Sequence, residues 1–251
     1  MAEPLLRVEQ DGPVRHLILD RPGQRNALSR ALIEDLLAAL QDAAASPEVG
    51  AVVLRGEGAG FCAGADLKET AALVRESDVR GHAARLRLLL ETLVTLAKPV
   101  VAQVHGFALG AGCALVLSCD AAFCAPGTRF GYPEARHNIV PALVAPGLVR
   151  LVGRRAAFDL LGTGRLLDAD EACALGFARG VPQAQDLPDA VRAYASGLAG
   201  QAGDFVPAIK ALLDEVEDAP FAVAMARAME ANVRSRMARV AAQTRLAAGE
   251  G

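Results

Sequence analysis

Apolar and polar residues alternate from Leu5 to Glu9 and again from Val14 to Leu19, around Asp11-Gly12-Pro13, and this period of two predicts two strands joined by a tight turn. Arg21-Pro22-Gly23-Gln24-Arg25-Asn26 breaks the alternation. Ser29 then stands where a helix cap belongs, with Leu32, Leu36, Leu37 and Leu40 on one face of a helix expected to run to about Ala45 and to stop at Ser46-Pro47. Ala51 to Leu54 reads as a buried strand that feeds the glycine-rich Gly56-Glu57-Gly58-Ala59-Gly60. A helix is expected from about Ala71 to Leu96, and a second buried strand over Val100 to Val104. Glycines follow again, Gly106, Gly110 and Gly112, leading into an apolar segment of helical length, Cys113 to Leu117, that ends near Asp120; Ala121 to Ala125 is the next strand. Strand, loop, helix and strand in this order imply parallel crossovers and an α/β class, in which loops at the carboxyl ends of strands are the usual ligand sites. Beyond Gly153 the texture turns helical, with no strand longer than a few residues, and Phe221 to Val240 predicts a last helix that packs on something, such as another subunit. The expected division is a core over 1–190 and a helical region over 191–251.

Length and composition narrow the choice of function. The 251 residues, 53% hydrophobic and 22% charged, suit one large domain or one domain with an appendage. Mean hydropathy is positive, yet the longest stretch free of both charged residues and histidine, Gly106 to Cys119, is too short and too rich in glycine to span a bilayer, so no membrane role is expected. Met1-Ala2-Glu3-Pro4 lacks the features of a secretory signal, and the expected location is the cytoplasm. A net charge of -3 supplies no field to gather phosphate backbones, and with no Trp there are few stacking platforms, which speaks against nucleic acid as a partner. Five cysteines without a C-x-x-C pair and four scattered histidines offer no zinc spacing; the thiols read as small buried residues in a reducing compartment. There is no phosphate-binding G-x-x-x-x-G-K-[ST], no G-x-S-x-G and no H-E-x-x-H, and Gly110-Ala111-Gly112 lacks the third glycine of a dinucleotide loop, Leu115 standing in its place.

Two glycine-rich loops remain, each after a buried strand and each leading toward a helix start. Their backbone N–H groups could form a two-donor site for a carbonyl oxygen that gains negative charge; alternatively the glycines only permit tight turns.

The blocks Arg25-Asn26-Ala27-Leu28, Phe61 to Lys68, Lys98 to Ala102, Gly106 to Cys113, Cys119-Asp120, Phe130-Gly131-Tyr132-Pro133-Glu134, Leu161 to Arg165 and Ala169 to Leu175 occur in order along the chain. Together they resemble the crotonase, or enoyl-CoA hydratase/isomerase, superfamily over nearly the whole length. The resemblance implies an α/β core of repeated β-β-α units, a C-terminal helical trimerisation region, and assembly as a homotrimer or homohexamer. It implies an acyl-CoA substrate, the coenzyme A thioester itself, with no separate cofactor and no metal. By matching positions, the N–H groups of Ala65 and Ala111 look like the pair that binds the thioester oxygen. Ala63, Asp66, Leu67 and Lys68 look like the wall of the coenzyme A groove, Arg25 and Ala27 like pantetheine and adenine neighbours, and Tyr132 like part of the acyl pocket.

Family hydratases commonly carry two glutamates that position a water and move its proton. Here Ala114 stands at the first position and Glu134 at the second, while Ala142, eight residues after Glu134, replaces the extra aspartate of dienoyl-CoA isomerases. One carboxylate suffices to shift a proton along a thioester enolate, which is the pattern of a 3-enoyl-CoA to 2-enoyl-CoA isomerase. Hydration, and a non-catalytic acyl-CoA-binding relative, are the alternatives. Glu134 follows Pro133 and could also be a helix-start acid without chemistry. His137, one turn further, either shares in proton movement or only lines the groove, and Asp120 reads as structural.

Overall fold

The computed structural model describes residues 4–201 and 204–247, so residues 1–3 of the opening segment lie outside the described residues. From the start of the chain run β1 (Leu6–Asp11), β2 (Val14–Leu19), α1 (Arg30–Ala45), β3 (Ala51–Gly56), α2 (Leu67–Ala71) and α3 (Glu76–Thr95). Next come β4 (Val100–Val104), β5 (Phe107–Leu109), α4 (Ala111–Leu117), β6 (Ala121–Cys124), β7 (Arg129–Gly131) and α5 (Ala145–Thr163), the last interrupted at Gly153 by φ 74° and ψ 165°. With β8 (Leu166–Leu167), α6 (Ala169–Ala174), β9 (Arg179–Gly180) and α7 (Leu187–Ala199) they make the first of two compact units, Met1–Gln201. The second, Ala202–Gly251, holds α8 (Phe205–Val216) and α9 (Phe221–Ala247), which pack on each other.

Among the described residues the strands form two sheets, ordered β1-β2-β3-β4-β6-β9 and β5-β7-β8. The larger is parallel except for the β1–β2 hairpin, with Leu54 opposite Leu17 on one side and Ala102 on the other. β4 and β5, then β6 and β7, divide between the two sheets, so the α/β class and the repeated β-β-α core expected above are the observed architecture. β3 and β4 are continuous apolar runs because both faces of the sheet are covered. Val52, Leu54, Val100 and Ala102 pack with Leu32 and Leu36 of α1 and Leu89 and Leu93 of α3; Ala51, Val53 and Val101 pack with Leu187, Val191 and Ala195 of α7. Each fully buried Leu or Val contributes about 1.5–3 kcal/mol of transfer free energy. Since α7 seals one face, the break expected between 190 and 191 falls inside this helix, and the units part after Gln201 instead.

Other local expectations fare differently. Ser29 caps α1 as read, its Oγ accepting the Leu32 N–H at 3.2 Å. The helix expected from about Ala71 to Leu96 starts later, as α3, with Glu76 and Asp78 in its first turn, where negative charge is favoured; before it comes a short helix that was not expected, α2, capped by Asp66 and ended by a turn at Ala72. β5 and β7, three residues each, are too short to leave a period in the sequence. All five cysteines are free; Cys119 and Cys173 are only half-buried, a correction to uniform burial. Among the described residues no helix is long and apolar enough to cross a membrane.

Candidate active site

After β3 the chain returns as an extended strip between two neighbours. On one side the Cys62 N–H donates to the Phe107 carbonyl at 3.2 Å and the Cys62 carbonyl accepts the Leu109 N–H at 2.9 Å. On the other side the Ala63 N–H donates to the Arg25 carbonyl (3.0 Å), the Gly64 carbonyl accepts the Leu28 N–H (2.8 Å), and the Asp66 N–H donates to the Leu28 carbonyl (3.1 Å). Peptide groups alternate sides along an extended chain. Ala65, between Gly64 and Asp66, therefore turns its own N–H away from Leu28 and toward the β5 side. Gly64, at φ 96°, permits this change of phase, and no side chain fits there: a Cβ would lie 2.8 Å from the Leu109 carbonyl oxygen and 3.3 Å from the Ala111 nitrogen.

The second loop meets the first at that point. Gly110, at φ 52° and ψ -120°, donates its N–H to the Gly131 carbonyl at 2.8 Å, and Ala111 opens α4, where first-turn N–H groups have no acceptor inside the helix. Among the described residues neither the Ala65 nor the Ala111 N–H is given to a protein acceptor. Glu134 sits in a 3-10 turn, Pro133–His137, directly after β7, and its carboxylate lies over Gly110: a Cβ there would overlap Oε1 and come within 3.0 Å of the carboxyl carbon. Glu134 Oε2 is buried without a hydrogen-bond partner among the described residues. Burial pushes this carboxyl above the ordinary glutamate range, only partly offset by its own backbone N–H and by His137. Gly64, beside Ala65, lies against the Ala111 nitrogen, and the Glu134 carboxylate lies over Gly110; N–H donors and a carboxylate so combined are the groups that can hold an oxygen that gains charge while a proton moves on neighbouring atoms.

The remaining predicted residues surround this spot unequally. Ala63 belongs to the strip itself, and Ala27 to the neighbouring segment, Arg25 to Leu28, that bonds to it. Arg25, exposed and left-handed at φ 53°, stacks its guanidinium 4.3 Å from the centroid of the Phe107 ring. Leu67 and Lys68 are exposed at the start of α2. Asp66, by contrast, is committed within the protein: Oδ1 accepts the Lys68 and Glu69 N–H groups, and Oδ2 accepts both Nη1 and Nη2 of Arg21 at 3.1 Å. Burial alone would raise its pKa, but the hydrogen bonds from Glu69, Arg21 and Lys68 outweigh this and hold it below the usual value. Tyr132 is fully buried, and its hydroxyl, close to the Cys113 thiol, has no hydrogen-bond partner among the described residues. His137 is exposed at the end of the Glu134 turn, and Ala114 is buried one helical turn from Gly110, whose carbonyl accepts its N–H at 3.2 Å. Asp120 Oδ2 accepts the Val100 N–H at 2.7 Å, a structural tie.

Several supporting residues escape a reading of the sequence. Asn26 is fully buried at φ 55°; its Oδ1 accepts the Arg21 N–H (2.9 Å), and its Nδ2 donates to the carbonyls of Glu57 (2.8 Å) and Gly60 (2.9 Å), stitching the glycine-rich loop to the turn after β2. The tolerance of Asn for left-handed backbone was the only local hint. The Cys113 thiol donates to the Ala108 carbonyl (2.8 Å) and accepts the Gly131 N–H (3.3 Å), and Cys62 Sγ accepts the Gly64 N–H (3.4 Å). Because these partners are backbone atoms, whose direction residue identity does not encode, no motif announces them.

The family model for enoyl-CoA hydratase/isomerase matches residues 9–244. A Thermus thermophilus protein designated an enoyl-CoA hydratase is 40% identical over 212 residues, 83% of either chain. An enoyl-CoA isomerase/hydratase of Mycosarcoma maydis is 38% identical over 184 residues, 69% of this chain and 66% of that one. The crystal structure of an enoyl-CoA hydratase from Mycobacterium smegmatis has a TM-score of 0.89 at 35% identity, covering 94% of this chain and 92% of the other.

Proposed function

This chain belongs to the enoyl-CoA hydratase/isomerase family, and from that premise we propose that it moves the double bond of a 3-enoyl-CoA thioester to the 2-position. The thioester carbonyl oxygen accepts the N–H groups of Ala65 and Ala111. Glu134 takes a proton from C2, the electron pair of that C–H bond passes into the thioester, and the resulting dienolate carries its charge on the held oxygen. Glu134 then returns the proton at C4, leaving the 2-enoyl thioester and the free carboxylate. Donors fixed beforehand favour the dienolate over the ground state; removing one costs about 2.7–4 kcal/mol of barrier lowering in comparable sites.

The observation that carries this reading is the placement of the Glu134 carboxylate against Gly110, beside the Ala111 N–H, with Ala114 supplying no second carboxylate. Arg25, Ala27, Ala63, Leu67 and Lys68 are the proposed coenzyme A groove, and Tyr132 backs the acyl pocket. Assembly as a trimer or hexamer is assigned to the C-terminal helices, where Phe221, Met225, Met229, Val233 and Met237 recur every four residues of α9 and stay exposed in the single chain. The proposed location is the cytoplasm.

Incubation of the full chain with 3-enoyl and 2-enoyl thioesters of several lengths tests the reaction. Conversion of the 3-enoyl to the 2-enoyl thioester, lost in Glu134→Gln, is expected. Hydration is the second reading, favoured by relatives designated as hydratases; formation of a 3-hydroxyacyl thioester as the main product would select it. Binding without turnover of either substrate would sink both.

A further inference from the structure

We propose that the Arg21–Asp66 ion pair is a positioning device that sets the direction of the Ala65 N–H, an inference that rests on the oxyanion role given to that group above. Arg21 ties the strip that carries Ala65 to its neighbour on the Leu28 side. Its Nη1 donates to the Ala27 carbonyl, next to Leu28, and Nη1 and Nη2 both donate to Asp66 Oδ2 at 3.1 Å. Leu28 in turn holds Gly64 and Asp66 by the two backbone bonds that flank Ala65. One guanidinium thus grips the residue that follows Ala65 and the residue that precedes Leu28, its bridge partner.

The grip is itself held. The backbone N–H of Arg21 donates to Oδ1 of the fully buried Asn26, and the second oxygen of Asp66 caps α2 through the Lys68 and Glu69 N–H groups. Both carboxylate oxygens are engaged, so the Asp66 side chain cannot rotate without losing either the cap or the ion pair. The pair is shielded as well, with side chains 12% and 11% exposed, which separates it from exposed pairs of little consequence. A guanidinium can grip two acceptors in fixed geometry, as a lysine ammonium cannot. Arg21 touches no reacting atom in this arrangement; it acts through Ala65.

An amide that is correctly aimed stabilises the enolate more than the bound substrate, so its misdirection lowers kcat and spares KM. The test uses the full chain in Arg21→Met, Arg21→Lys and Asp66→Asn, with two readouts. One is steady-state turnover of a 3-enoyl thioester; the other is the infrared carbonyl stretch of a bound saturated acyl-CoA labelled with carbon-13 at the thioester, which falls in frequency when the oxygen accepts hydrogen bonds. Asp66→Asn keeps a good helix-capping side chain but removes the charge, so it separates positioning from folding of α2. The expected result is a fall in kcat of about ten- to a hundredfold in Arg21→Met and Asp66→Asn, KM within about threefold, and loss of part of the carbonyl shift, with partial recovery in Arg21→Lys. A carbonyl shift that persists unchanged in folded Arg21→Met or Asp66→Asn overturns the positioning role while the oxyanion reading stands. A wild-type chain that turns over substrate with no carbonyl shift overturns the oxyanion reading, and the positioning role with it.

Discussion

Ala65 and Ala111 present the same chemical group, a backbone N–H without a protein acceptor among the described residues, yet the two loops hold it by different means. Ala111 is set by the start of α4 and by close packing around Gly110, so backbone and bare space decide its direction. Ala65 lies on an extended strip stabilised from a distance, through Arg21, Asn26 and Asp66. The second loop should therefore fail when volume is added, and the first when a side chain or its charge is removed. Gly64 is where the two requirements meet, since its missing Cβ lets the first loop touch the Ala111 nitrogen.

The largest effect is expected where both loops converge. Glu134→Gln removes the proposed proton carrier, so kcat should fall about a thousandfold or more while acyl-CoA affinity, measured by calorimetry, stays within about tenfold. Retained turnover would break the whole comparison. Next comes Gly110→Ala: its methyl group would displace the carboxylate and its left-handed backbone would be strained, and a loss of about a hundredfold in kcat with an unchanged far-ultraviolet spectrum is expected. Full activity in that variant would mean that packing does not fix the second loop. Milder changes sharpen the contrast. Ala65→Gly and Ala111→Gly leave each N–H in place and should keep activity within about tenfold, whereas valine at either position should block the thioester.

Ala114→Glu should add a 3-hydroxyacyl product from a 2-enoyl thioester, detectable by chromatography, because it returns a carboxylate to the helix one turn from Gly110. No such product would place position 114 outside the reacting zone.

The smallest effect is that of pH on stability. Burial raises the Glu134 pKa in the folded state, so the native protein binds this proton more tightly than the unfolded chain. Its contribution to stability therefore falls as pH rises from the ordinary glutamate value through the raised one. Glu134→Gln should flatten that slope in denaturant titrations, leaving it at least as stable as the wild type near neutral pH. In the wild type, kcat/KM should fall on acidification through the same raised pKa, since the base must be ionised. An acid limb at the ordinary glutamate value would contradict the burial of the carboxylate.

How much of this could be read from the sequence depended on distance along the chain. β4 was legible to the residue because a β-branched run between Lys98-Pro99 and glycines leaves a strong local signal. The start of α1 was legible because Ser29 bonds a backbone N–H three residues on. The short α2 and the later start of α3 were missed because the residues around Ala72 to Arg75 do not interrupt the helical texture; the capping of α2 by Asp66 and the acidic start at Glu76 decide both. Arg21 stood in a stretch that only broke a pattern, and its partner lies 45 residues away.

What the sequence determined by itself was the inventory: buried strands, two glycine loops, Glu134 and no carboxylate at Ala114. Ordered family blocks carry this much because motif residues are fixed relative to one another along the chain. Only the tertiary structure decided that the two loops touch at Gly64, that Glu134 lies over Gly110, and that Asp66 serves Arg21 and α2. The physical reason is that an amide becomes a useful donor through its direction and its lack of an acceptor. Both properties depend on where every neighbouring peptide group points, and residue identity alone does not encode that.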